Sequence, residues 1–247
     1  MHGRALDYGR MRRASALGAL SAVLGLAASS ACTDVRAGER AATRVEVIAA
    51  PASEPVGAQP ARPADEPAPR EPLPFAWPLP PGWRSETIPF PLGFAPSLPY
   101  RGLEELRFAP GMFDAASEQF WTYAFVWWLE GEVELDANRL NEELAAYFEG
   151  LSAAVEGSDF DAERAKVVSR LVAAPSDDST RTHWRGTVSS YDPFATHARI
   201  ELQLEVESFR CEVQDRTVAL FRVSPRPSDD AVWTQLAAVR DSFRCSR

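Results

Sequence analysis

The run Phe120-Trp-Thr-Tyr-Ala-Phe-Val-Trp-Trp-Leu129 decides how the rest of the chain is read. It carries no charge, is rich in aromatic side chains and stops at Glu130-Gly131. A short apolar run of this kind, bounded by a turn signal, reads as a central strand. Successive side chains of a strand point to opposite faces, so neighbouring Trp127 and Trp128 demand cover on both sides. A strand buried on both faces loses its apolar–polar alternation. Helices or loops on each side provide that cover most simply; a ligand pocket against one tryptophan is the alternative.

Working outward, Leu103 to Ala109 is a second strand, ended by Pro110-Gly111. Before it, Trp83-Arg-Ser-Glu-Thr-Ile-Pro-Phe-Pro-Leu92 is extended and edge-like, since Pro89 and Pro91 cannot sit centrally in a sheet. Downstream, Leu140, Leu144, Tyr147, Phe148, Leu151 and Val155 recur at helical spacing, with Asp136 or Asn138 as cap and Gly157 as stop. Ala165 to Val172 either continues a helix from Asp161 or forms a strand presenting Val167, Ser169 and Leu171 on one face; the strand is expected, because the segments that follow are strands. Thr182–Tyr191 and His197–Phe209 alternate clearly and form a hairpin across Asp192-Pro-Phe-Ala-Thr196, with one wet face. Val218 to Val223 is a further strand. Asp229 and Asp230 open a last helix whose inner face is Val232, Leu236, Val239 and Phe243, flanked by Trp233. The expected class is α+β: a mainly antiparallel sheet of about six or seven strands packed by a long central helix and a C-terminal helix.

The first third of the chain has a different composition. Arg4, Arg10, Arg12 and Arg13 precede a small apolar stretch, Ala14 to Ala28, in the pattern of an export signal. Residues 1–31 are read as the signal peptide, with Met11 as an alternative start. Leu26-Ala-Ala-Ser-Ser-Ala-Cys32 resembles a lipoprotein processing box, although Ser29 stands where leucine is usual. Cys32 is therefore the expected lipidation site, and a lipidated amine and sulfur together anchor a protein stably in a membrane. The expected location is the outer membrane or its periplasmic face; cleavage after Ala28 or Ala31, giving a soluble periplasmic or secreted protein, is the alternative. Residues 32–72 read as a disordered tether. Eleven prolines fall between Pro51 and Pro81, and such a stretch cannot bury enough surface to offset its ordering entropy. All seven tryptophans lie at or beyond Trp77, and residues 73–247 are expected to form one domain.

Without residues 1–31 the chain holds 22 basic and 34 acidic residues, a net charge of about −12. That sign disfavours nucleic acid as a partner and leaves the membrane, an envelope protein or a small ligand. Cys211 and Cys245, each in Phe-Arg-Cys, are the remaining cysteines of an exported domain and are expected to pair. A redox pair or a metal site are the alternatives, and neither Cys-x-x-Cys nor a histidine motif supports them.

Catalytic signatures are missing. There is no Gly-x-Ser-x-Gly, no Walker box and no dinucleotide loop, so no catalytic residue, metal or cofactor is assigned. His183 and His197 are placed on the wet face of the hairpin, near Leu202 and Val188 respectively. That is too far apart for one metal ion. Glu104–Glu105 and Glu142–Glu143 read as edge and helix surface charge. The less regular region Trp83–Phe113 either wraps the core or lines a groove. The candidate binding surface is thus Trp83, Tyr100, Arg101, His183, Asp192 and His197. Two functions compete: a noncatalytic binding or assembly-supporting envelope lipoprotein, and an anchored hydrolase using carboxylates or His183.

Several stretches resemble an uncharacterised family of bacterial exported proteins. They are Ile88-Pro-Phe-Pro-Leu-Gly-Phe-Ala-Pro96, Tyr100-Arg-Gly-Leu-Glu-Glu-Leu-Arg-Phe-Ala-Pro-Gly-Met-Phe113, Tyr123-Ala-Phe-Val-Trp-Trp-Leu-Glu130, Tyr191-Asp-Pro-Phe194 and the segment from Ser224-Pro-Arg-Pro to Phe243-Arg-Cys245. The resemblance runs from about Trp83 to Cys245 and implies no active residue. The element order is also loosely similar to the Mog1/PsbP-type α/β/α sandwich, which implies a fold and not a function.

Overall fold

The computed structural model describes residues 72–245. The expected signal peptide, the Cys32 lipidation site and nearly all of the tether lie outside the described residues. Seven strands form one sheet: β2 (Arg84–Pro89), β3 (Gly102–Phe108), β4 (Tyr123–Glu130), β5 (Val168–Ala174), β6 (Arg181–Tyr191), β7 (Arg199–Cys211) and β8 (Arg216–Ser224). Their order is β2-β3-β4-β8-β7-β6-β5, and every neighbouring pair is antiparallel. The proline-bearing β2 is an edge strand, as its sequence requires. The class expected from sequence, α+β with a mainly antiparallel sheet, is what the described residues form.

The aromatic run sits in β4, between β3 and β8, with Tyr123 to Leu129 all buried. Its alternate residues join different hydrophobic clusters. Tyr123, Phe125 and Trp127 belong to one, together with Leu140, Leu144, Tyr147, Phe148 and Leu151 of the long helix α1 (Ala137–Glu156). Ala124, Val126 and Trp128 belong to the other, together with Val232, Trp233, Leu236 and Val239 of α3 (Ala231–Asp241). The doublet Trp127-Trp128 is therefore buried by protein on both sides.

Helix α1 begins where its cap was expected: the Asp136 side chain accepts a hydrogen bond from the Arg139 N–H. Gly157, with φ of 57°, ends it. Gly150 in its interior has a packing reason. A Cβ there would stand 1.9 Å from the Phe94 carbonyl oxygen, so the loop after β2 crosses the helix at a point only glycine permits. That loop wraps the core: Phe90, Leu92, Ala95, Leu98 and Tyr100 are all buried in the α1-side cluster. A four-residue helix α2 (Ala162–Ala165) leads toward β5; Val167, just before the strand, and Leu171 within it are both buried.

The β6–β7 hairpin corrects one expectation. His183 pairs with Glu207 and Val188 with Leu202, and the paired ladder ends at Tyr191 and Arg199. His197 is not on the strand; it lies in the connection with φ of 50°. The longer loop arises because Asp192 folds it back. Its carboxylate accepts from the N–H groups of Phe194, Ala195 and Thr196 and from the Thr196 hydroxyl.

The two ends of the described chain meet. Phe75 of β1 (Phe75–Ala76) pairs with Cys245 of β9 (Arg244–Cys245), and Cys245 is disulfide-bonded to Cys211 at the end of β7. The Trp77 indole N–H donates to the Val239 carbonyl 2.9 Å away. The last part of the proline-rich stretch is thus built into the second cluster.

Candidate functional site

One concave feature among the described residues is an open cleft of about 580 Å³. Its floor comes from Arg181, His183, Glu207 and Phe209 on β6 and β7, and its walls from Pro175–Asp178 and from Arg240–Arg244 at the end of α3. Glu207 is the hub. Alternation along β7 places it on the face expected to be wet, yet it is only 4% exposed. Helix α3 covers it, and Arg240 reaches its Oε2 at 3.4 Å. Arg181 reaches Oε1 at 3.2 Å, and His183 Nε2 stands 4.0 Å from Oε2. The Arg181 guanidinium also lies 4.0 Å from the centroid of the Phe209 ring. Two guanidinium groups on opposite oxygens hold this nearly buried carboxylate in one place. The cleft offers donors from Arg181, Arg240 and Arg244, acceptors from Asp177, Asp178 and Asp241, and the rings of Phe209 and Phe243.

Of the residues singled out from sequence, this cleft contains His183 alone. Trp83 is buried in the α3-side cluster and Tyr100 in the α1-side cluster. The Tyr100 hydroxyl donates to the Glu143 carboxylate at 2.6 and 2.7 Å. Burial, together with that carboxylate, pushes the phenol well above its usual range. Arg101 and His197 are exposed. Asp192 is fully buried and structural. Burial drives its pKa upward, but the hydrogen bonds from Thr196 and Phe194, with a contribution from Trp121, outweigh it and leave the group below the ordinary carboxylate range. His183 and Asp192 stand near opposite ends of β6, so the two do not share a site.

Of the expected surface carboxylates, Glu104, Glu105 and Glu143 are not on the surface, whereas Glu142 is. Glu104 and Glu105 are 0% and 2% exposed. They occupy successive positions of β3, so each lies on a different face. Glu105 is bound by Arg107 and by the Thr87 hydroxyl, and the Arg107 guanidinium stacks 4.4 Å from the Trp77 centroid. Glu104 accepts from the Trp127 indole N–H at 3.1 Å. Burial pushes its pKa up to about 8, against the lowering effect of hydrogen bonds from Trp127 and Tyr147. Glu86 on β2 is raised to about 7 by burial and by the charge of Glu105. Glu143 is also largely buried, beneath Tyr100 and Arg139, while Glu142 is exposed. In Gly102-Leu-Glu-Glu-Leu-Arg-Phe108 the spacing of Glu105 and Arg107 puts both on one face, which was the legible signal for their pairing.

No group of three or more His, Cys, Asp or Glu able to hold a metal ion occurs among the described residues. No helix among them is long and apolar enough to cross a membrane. Comparisons with protein-family models, curated proteins and solved structures find no match.

Proposed function

We propose that the chain is an exported lipoprotein, anchored in a cell envelope through Cys32, with residues 32–72 as an extended tether and the folded domain as a noncatalytic binding or assembly-supporting module. The observation that carries the binding assignment is the state of Glu207. It is the most buried acid of the main cleft, and two arginines and a histidine already surround it. A general base or nucleophile must be free to take a proton or attack. Glu207 instead positions Arg181 and Arg240 in the lining of the cleft. The mixed donors, acceptors and rings suit a polar ligand or a partner loop.

A hydrolase is the second reading, and the raised Glu86 and Glu104 favour it, since carboxyl groups near 7 and 8 suit acid–base work. Their surroundings argue against it. Glu104 is wholly buried, and the cavity at Glu86 is only about 30 Å³. We also propose that the domain is an α/β/α sandwich of the Mog1/PsbP type. The division of β4 between an α1-side and an α3-side cluster supports this.

Two measurements test the reading in the full chain. Labelled palmitate is expected to enter the protein and to be lost in Cys32→Ser; labelling of both forms removes the lipoprotein assignment. A photo-crosslinking residue at Asp178, inside the cleft, is expected to capture an envelope component that the same residue at Glu163, on α2, does not. Equal capture at the two positions removes the cleft from the proposal.

A further inference from the structure

A second enclosed space lies on the α1 side of the sheet, at the β2 edge, and five aromatic rings close a circuit around it. Phe108 contacts Phe113 with centroids 5.8 Å apart, Phe113 contacts Phe194 at 5.1 Å, and Phe194 contacts Trp121 at 5.5 Å. Trp121 then contacts Tyr123 at 6.2 Å, and Tyr123 returns to Phe108 at 6.0 Å. All five line a cavity of about 30 Å³, and the single charged residue lining it is Glu86. The Glu86 Oε1 atom is buried and has no hydrogen-bond partner. Trp121 and Tyr123 are almost fully buried, whereas Phe108, Phe113 and Phe194 are half-buried, so the circuit opens on the side of the three phenylalanines.

We propose that this cage binds the head of a primary alkylammonium ion, with the aromatic faces supplying cation–π attraction and Glu86 the counter-charge. Ring faces carry negative potential and hold a cation within about 6 Å of the centroid. Phe113 already holds a cation: the Arg84 guanidinium lies 5.1 Å from its centroid. A buried carboxylate oxygen without a donor is costly, and an N–H of an ammonium group is the donor it lacks. Burial weakens the Glu86 acid, and an entering cation restores its charged form. Size sets the selectivity. About 30 Å³ is room for one or two water-sized groups, which accepts –NH3+ or CH3–NH3+ and excludes a tetramethylammonium ion.

The assignment does not depend on the cleft around Glu207. The test uses the full chain and methylammonium chloride as probe, observed by ligand NMR. The methyl protons are expected to show saturation transfer from the protein and an upfield ring-current shift. Tetramethylammonium and the neutral isostere methanol are expected to show neither. Glu86→Gln keeps the shape and is expected to weaken methylammonium about tenfold or more, the usual loss when a charged hydrogen bond goes. Phe113→Leu, at a half-buried wall, removes one ring and is expected to reduce both shift and affinity; it provides the test if Glu86→Gln does not fold. Methanol binding as well as methylammonium would show a cavity that takes water only. That result, equal binding of tetramethylammonium, or unchanged affinity in both variants overturns the proposal.

Discussion

The two ends of the sheet treat acidic residues in opposite ways. At the β2–β3 end, Glu104 and Glu105 are buried and Glu86 is half-buried with one oxygen atom lacking a donor. At the β6–β7 end, Glu201 is exposed and Glu205 is half-buried beside Arg222, while Glu207 is enclosed only where α3 ends above it. Both ends have alternating strands. They differ in what covers them. Near β4 both faces lie under protein, so a glutamate on either face is buried. Near β6 one face is largely open to water, so alternation has its usual meaning.

The sharpest way to break this comparison is at the covered end. Trp127→Ala removes a fully buried ring and one donor to Glu104, and is expected to cost about 3–5 kcal/mol in a urea unfolding curve. Its counterpart lies where the chain ends meet. Cys211 and Cys245 close a loop of 34 residues. Reduction, or the double change to serine, is expected to cost about 3–4 kcal/mol in the chain-entropy model, again by denaturant unfolding.

A pH titration sharpens the contrast further. The pKa of Glu104 is raised on folding, from 4.5 to about 8, so the favourable neutral form is fully present below pH 4.5. Its contribution to stability is lost as pH rises toward about 8, and Glu86 adds the same sign up to about 7. Glu104→Gln cannot ionise. Its stability relative to the natural chain is therefore expected to improve by a few kcal/mol between these pH values, on the order of that shift. No pH dependence in the difference would mean that Glu104 is ionised in the fold. The smallest effect is expected at the hairpin loop. Asp192→Ala removes four acceptor contacts and should cost about 1–2 kcal/mol, with faster amide exchange confined to Phe194–Thr196.

Much of the strand and helix pattern was legible because local periodicity reports it. The stripe of α1, the caps at Asp136 and Asp230 and the prolines of the edge strand were all present in the residues. The site was less legible. Glu207 reads as a solvated residue until α3 is docked, and only its four-residue spacing from Leu236 hinted that Arg240 borders the inner face. Asp192 and Tyr100, polar residues in irregular segments, suggested binding. Their polar atoms are taken up inside the fold: four donors converge on Asp192, and Tyr100 donates to Glu143. The register of the β6–β7 hairpin was misplaced because Asp192 folds the connection into a longer loop than the strand pattern suggests.

The residues alone determined which segments become strand or helix and that β4 must be covered on both faces, because hydrophobic alternation and turn chemistry act over a few neighbours. Only the tertiary structure decided which carboxylates leave water, and that five rings from β3, β4 and two loops enclose Glu86. Burial depends on what packs above a residue, and those partners lie scores of positions away in the chain.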